Sequence, residues 1–123
     1  MRSALLAFLV LACAPAGPVA IDTEHDACHW CRMTISNPRF AAQVLVPGEE
    51  PQFFDDLGCL SSVRPHGEIY VADYDTGSWI AAERAHFERC SAIDTPMGSH
   101  LIARAQPTQN TGCIQVPAKE IIR

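Results

Sequence analysis

Hydrophobic and polar positions fall into short runs separated by strong turn signals, a pattern of small elements with no long helix. Arg39 to Val46 is rich in apolar and β-branched residues and stops at Pro47-Gly48-Glu49-Glu50-Pro51, so it predicts a strand ending in a tight turn. Gln52-Phe53-Phe54 then reads as the returning strand of a hairpin. Asp55 or Asp56 caps a short helix over Leu57 to Val63, in which Leu57, Leu60 and Val63 share a face. Glu68 to Asp73 is the next strand, with Ile69 and Val71 on one side and Tyr70 and Ala72 on the other. Tyr74 to Ser78 breaks it. Trp79 to Arg89 reads two ways, since Ala81, Ala82 and Ala85 favour helix while His86-Phe87-Glu88 fits a strand. Leu101 to Ala105 and Gly112 to Val116 supply two more strands. No internal repeat is visible in the sequence, and the pattern predicts an α+β domain with a small mixed or antiparallel sheet and short helices.

The N-terminus changes the picture. Arg2 followed by the apolar run Ala4 to Leu11 reads as a signal peptide over residues 1–12, too short for a bilayer span, which needs about 18 apolar residues. Val10-Leu11-Ala12-Cys13 resembles a lipobox, which would make Cys13 a lipidated N-terminus; cleavage at a small-x-small site nearby is the alternative. Either way the mature chain is expected outside the cytoplasm. The stretch 13–27 reads as a flexible tether, with the folded domain over 28–123. The net charge is −5, and removal of residues 1–12 leaves 8 basic against 14 acidic residues. That balance argues against nucleic-acid binding and suits docking to a basic patch on a partner.

Six cysteines in 123 residues suggest a disulfide framework in an exported chain. Their neighbours suggest something else. Cys28-His29-Trp30-Cys31-Arg32-Met33 places two thiols and a thioether together, and soft sulfur ligands select soft ions such as Cu(I). In an extended segment Cys31 and Met33 would project from one side. A Cys28–Cys31 disulfide, or a thiol-disulfide redox pair, is the competing reading, with His29 as a surface residue or auxiliary ligand. Arg32 after Cys31 excludes c-type haem attachment. In Phe53-Phe54-Asp55-Asp56-Leu57-Gly58-Cys59 the aromatics read as core and the aspartates as a helix start. Cys59 there is either a small buried hydrophobe or a ligand. Thr95-Pro96-Met97-Gly98-Ser99-His100 brackets Met97 with Pro and Gly in an ordered loop, making it a third soft ligand. No arrangement of base, nucleophile and oxyanion donors is visible, and a non-enzymatic protein is expected.

Taken together, Cys28-x-x-Cys31-x-Met33, Phe54-Asp-Asp-Leu-Gly-Cys59 and Thr95-Pro-Met-Gly-Ser99 followed by Leu-Ile-Ala resemble the NosL family of bacterial copper-binding lipoproteins. The resemblance implies a periplasm-facing, lipid-anchored Cu(I) metallochaperone, similar to the accessory protein that delivers copper to nitrous-oxide reductase. It also implies a fold of ββαβ units related to organomercurial lyase. By motif position Cys31 and Met97 would be the leading ligands, followed by Met33, with Cys28 or a histidine as a fourth. Partners would be a copper-acceptor enzyme or a copper donor, and the membrane through the anchor. A disulfide-stabilised structural lipoprotein is the remaining alternative. The chain departs from the family pattern in three places. Arg32 stands where the family often has Gly. His100 replaces the Gly that follows Met-Gly-Ser and would shield, ligate or decorate the loop. Gln106 to Gly112 is polar and turn-like where the family has a helix, and Cys90 and Cys113 are extra, a candidate disulfide replacing that helix's stabilisation.

Overall fold

The computed structural model describes residues 17–109 and 112–122. The expected signal peptide and Cys13 lie outside the described residues. Among the described residues seven strands form two sheets: β1 (Ala42–Leu45), β2 (Gln52–Phe54), β3 (Glu68–Ala72) and β4 (Trp79–Ala81) in one, β5 (His86–Cys90), β6 (Leu101–Arg104) and β7 (Cys113–Val116) in the other. Strand order is β2-β1-β3-β4 and β6-β5-β7, and every strand pairing is antiparallel. With helix α1 (Leu57–Val63) the domain is α+β. Among the described residues no helix is long and apolar enough to cross a membrane.

The first hairpin closes as its sequence predicts. Pro47 and Gly48 occupy the centre of a turn in which the Glu49 N–H donates to the Val46 carbonyl at 3.0 Å, and Gly48 takes φ +79°, which a type II turn requires there. The strand expected from Arg39 starts later, at Ala42. Asn37 Oδ1 accepts the Arg39 N–H, and with Pro38 in the first position the chain makes a 3-10 turn over Pro38–Phe40. Of the two candidate caps, Asp56 is the one that accepts the Gly58 N–H and starts α1. Arg64 ends the helix in a left-handed conformation. The ambiguous run after Trp79 is β4, a single 3-10 turn over Ala82–Arg84, and β5. Pairing of Ala81 with Tyr70 and of Phe87 with Ala103 and Val116 outweighs the helical preference of its alanines.

Although the sequence shows no repeat, the strand orders do. The central strand β1 lies between β2 and β3, and β5 lies between β6 and β7 in the same chain order. The sheets are stitched by a parallel bridge between Asp73 and Ala103 and by the Tyr74 N–H donating to the Ala103 carbonyl at 2.9 Å. The main core draws on both sheets, with Ala42, Val44, Phe54 and Val71 from one, Phe87, Leu101, Ala103 and Val116 from the other, and Leu57 and Leu60 from α1, while Phe40, Cys90 and Ile102 form a smaller separate cluster. In the second unit residues 105–109 are not helical. There Cys90 and Cys113, paired in register on β5 and β7, form a disulfide. Buried Glu88 accepts hydrogen bonds from Arg104 Nε at 2.6 Å, Gln115 Nε2 at 3.0 Å and Thr108 Oγ1 at 3.1 Å.

Within the stretch expected as a tether, Val19 is held to β1. Its N–H donates to Gln43 Oε1 and its carbonyl accepts from Gln43 Nε2, both at 2.9 Å. Fully buried Gln43 is thereby satisfied, as Glu88 is in the other unit.

Candidate metal centre

The segment Cys28–Met33 is a closed turn, which corrects the extended geometry expected for it. Ala27 bridges Thr34, and the Cys28 N–H donates to the Met33 carbonyl at 2.8 Å. The Arg32 N–H donates back to the Cys28 carbonyl at 3.0 Å, with Arg32 at φ +68°. Alternation of side chains therefore does not apply across Cys31 and Met33. The His29 N–H donates to the Phe53 carbonyl at 2.7 Å, which ties the turn to the end of β2. Two residues beyond that strand end, Asp56 caps α1, and Cys59 lies on the helix's first turn with its N–H donating to the Asp56 carbonyl at 2.9 Å.

These constraints bring three thiols into one group. The Sγ atoms of Cys28, Cys31 and Cys59 all lie within 4.8 Å of one another, and the three remain free thiols. Cys28 and Cys59 are buried, whereas Cys31 is half-buried and marks the open side. Around the group the chain exposes three large apolar side chains, Trp30 and Met33 at 55% and Met97 at 48%. A core methionine would not stand so far into solvent.

The three thiols differ in acidity. Burial works to raise Cys28, but backbone N–H groups of Asp55, Cys31 and Trp30 point at its sulfur and hold it below the ordinary thiol value. Burial raises Cys31, and the adjacent Cys28 sulfur adds to the effect. Burial and the charge on Cys28 push Cys59 well up. Cys28 is therefore the most acidic of the three, favoured by its N–H donors, and its two neighbours are held above it. Burial, together with Asp56, also raises Asp55, whose Oδ1 is buried with no hydrogen-bond partner among the described residues. Asp56 is lowered despite its burial, because Ser99, Gly58, Met97 and Thr95 all hydrogen-bond its carboxylate.

The Met97 loop is built around Thr95. The Gly98 N–H donates to the Thr95 carbonyl at 3.0 Å, and the His100 N–H to Thr95 Oγ1 at 3.1 Å. His100 Nδ1 pairs with the Ile93 carbonyl at 2.8 Å, so this ring closes the loop. His29 sets its ring edge against Phe54, with centroids 5.9 Å apart. Neither histidine belongs to the thiol group. Of the residues singled out in the sequence, Cys28, Cys31 and Cys59 converge, and Met33 and Met97 stand exposed on flanking segments. Cys90 and Cys113 are committed elsewhere. Cys59 counts for more than its sequence context suggested. Its signal was its position three residues after a capping Asp, which turns it inward on the first helical turn.

Fold and site together define a two-unit α+β domain that carries a cluster of three free thiols, two buried and one half-buried. The chain belongs to the NosL family, whose family model matches residues 18–111. Among solved structures it is similar to the crystal structure of the copper chaperone NosL from Shewanella denitrificans. The two share 21% identity over 76% of this chain and 81% of that one, at a TM-score of 0.62, which establishes the same fold. No curated protein matches the chain.

Proposed function

We propose that the protein is a copper chaperone whose cargo is Cu(I). The observation that carries this reading is the group of three thiols within 4.8 Å of one another, open at Cys31 and flanked by two exposed thioethers. Membership of the NosL family and the likeness to a copper chaperone support it. Thiolate and thioether together favour a soft monovalent ion over zinc, which takes no methionine. Cys31 and Met97 are the leading ligands, with Cys28 supplying the thiolate already favoured by its N–H donors and Met33 completing the outer side. Cys59 closes the site from beneath. Weak thioethers leave first, so the ion passes to an acceptor by stepwise ligand exchange at the exposed edge.

A thiol-disulfide enzyme is a poorer fit. Such enzymes present their low-pKa cysteine to solvent, and here the acidic Cys28 is fully buried while accessible Cys31 is the less acidic one. As further parts of the proposal, residues 1–12 direct export, lipidated Cys13 anchors the chain at a membrane facing the periplasm, and a metalloenzyme such as nitrous-oxide reductase receives the copper.

Titration of Cu(I) against a chromophoric chelator tests the cargo and ligands. One equivalent binds, with proton release that makes the affinity rise with pH, and Cys31→Ser and Met97→Ala each weaken it by tenfold or more, about 1.4 kcal/mol. Unchanged affinity in both variants would overturn the ligand assignment.

A further inference from the structure

Asp56 does more than a helix cap requires. Its Oδ1 accepts the Gly58 N–H at 2.7 Å, which is the capping bond. The same carboxylate reaches a distant segment: Oδ2 accepts the Met97 N–H at 2.9 Å across 41 positions, and Oδ1 accepts the Ser99 hydroxyl. All of this is buried, Asp56 being 0% exposed. The segment fits closely against the helix, since a Cβ at Gly58 would lie 2.9 Å from Ser99 Cβ, and only glycine there lets the two surfaces meet. Through its main chain Asp56 meanwhile accepts the Cys59 N–H. One residue thus bonds the backbone of an exposed thioether residue with its side chain and the backbone of a buried thiol residue with its carbonyl.

We infer that Asp56 is a positioning residue for the cargo site: its carboxylate seats the Met97 loop on the first turn of α1, setting the thioether in register with the thiols. This rests on the reading of the site as a Cu(I) carrier. A methionine side chain is flexible and its sulfur a weak ligand, so fixing the backbone beneath it removes part of the ordering cost of binding. With its carboxylate engaged by Gly58, Met97, Ser99 and Thr95, Asp56 acts through the loop and not as a ligand.

The test is a double-mutant cycle on the exported, mature protein, comparing wild type, Asp56→Asn, Met97→Ala and the double variant. Asparagine caps a helix as well as aspartate does, so Asp56→Asn can keep the Gly58 bond while turning an amide NH2 toward the Met97 N–H. Cu(I) affinity is read by chelator competition, and 13C-methyl methionine spectra report whether the Met97 methyl senses the ion. Asp56→Asn is expected to weaken Cu(I) binding about tenfold, the size of a lost charge-assisted bond, and to remove the Met97 methyl shift. In the Met97→Ala background it should cost nothing further. An Asp56→Asn protein that binds as tightly as wild type, or that loses equally in both backgrounds, overturns the positioning role. Met97→Ala binding like wild type overturns the Met97 ligand assignment as well, so the two failures are separable. Ser99→Ala removes the neighbouring anchor and leaves the cap, and it runs the same cycle should Asp56→Asn fail to fold.

Discussion

The two units share a strand order but not a means of stability. In the first, α1 follows β2, its Leu57 and Leu60 fill the core, and three cysteines stay free beside it. In the second, irregular chain follows β6, and a disulfide plus a buried ion pair hold β5, β6 and β7 together. The registers show where they part. Phe54 ends β2 opposite Ala42, and Ala103 on β6 faces Phe87 in the equivalent place. Two residues after Phe54 stands Asp56, which caps a helix; two residues after Ala103 stands Ala105, which cannot cap one, and Pro107 follows. Without a helix the unit loses buried apolar surface and the hydrogen bonds of its turns, and covalent and charged links stand in. The difference also sorts the cysteines. Those of the second unit face each other across adjacent strands and are joined, whereas those of the first come from a turn and a helix and remain available.

Two variants break that comparison on the side of the second unit. Arg104→Ala has the largest expected effect. It leaves Glu88, 1% exposed at its side chain, as a buried carboxylate with only neutral donors, and removes the guanidinium that also pairs with Asp75 and lies over the Tyr74 ring. Unfolding in urea should show a loss of about 3–5 kcal/mol, and a loss below about 1 kcal/mol would mean that the pair is not what holds this unit. Replacing Cys90 and Cys113 together by serine opens a link between positions 23 apart and should cost about 3 kcal/mol in the same measurement. Cu(I) affinity of the folded double variant should be unchanged, since the thiols lie on the first unit and it is Asp56, not the disulfide, that seats the Met97 loop of the second. A matching fall in affinity would show that the disulfide supports the site through the Met97 hairpin.

How much of this was legible along the chain depended on how local its cause was. The helix Leu57–Val63 and the hairpin at Pro47-Gly48 were legible because cap, periodicity and turn residues all lie within a few positions. The run after Trp79 was not, because only pairing with Tyr70 and Ala103, residues distant in sequence, decides its conformation. The repeat of units was hidden for a packing reason. Ala42 faces Phe54 in one unit and Phe87 faces Ala103 in the other, so large and small exchange places while the pair keeps its volume. The nearness of Cys28 to Cys31 was legible from spacing, whereas the sequence left Cys59 open between buried hydrophobe and ligand, since it joins them only because the turn is bonded to Phe53 at the end of the strand that precedes the helix.

The smallest effect sharpens the comparison at two left-handed positions, Arg32 in the thiol turn and His100 in the Met97 hairpin, at φ +68° and +60°. Family resemblance expects glycine at both. The strain of a side chain there is roughly 1–2 kcal/mol, and glycine returns part of it as unfolded-state entropy. At His100 the strain is offset, because the ring bonds the Ile93 carbonyl at 2.8 Å and closes its loop. At exposed Arg32 the backbone N–H bond to the Cys28 carbonyl is one glycine makes equally well. Arg32→Gly should therefore stabilise the metal-free protein by up to about 1 kcal/mol in urea unfolding, whereas His100→Gly should gain nothing or lose stability. Equal gains at both sites would show that the His100 ring bond contributes nothing. A loss at Arg32 would show that its side chain, and not the backbone alone, holds the thiol turn.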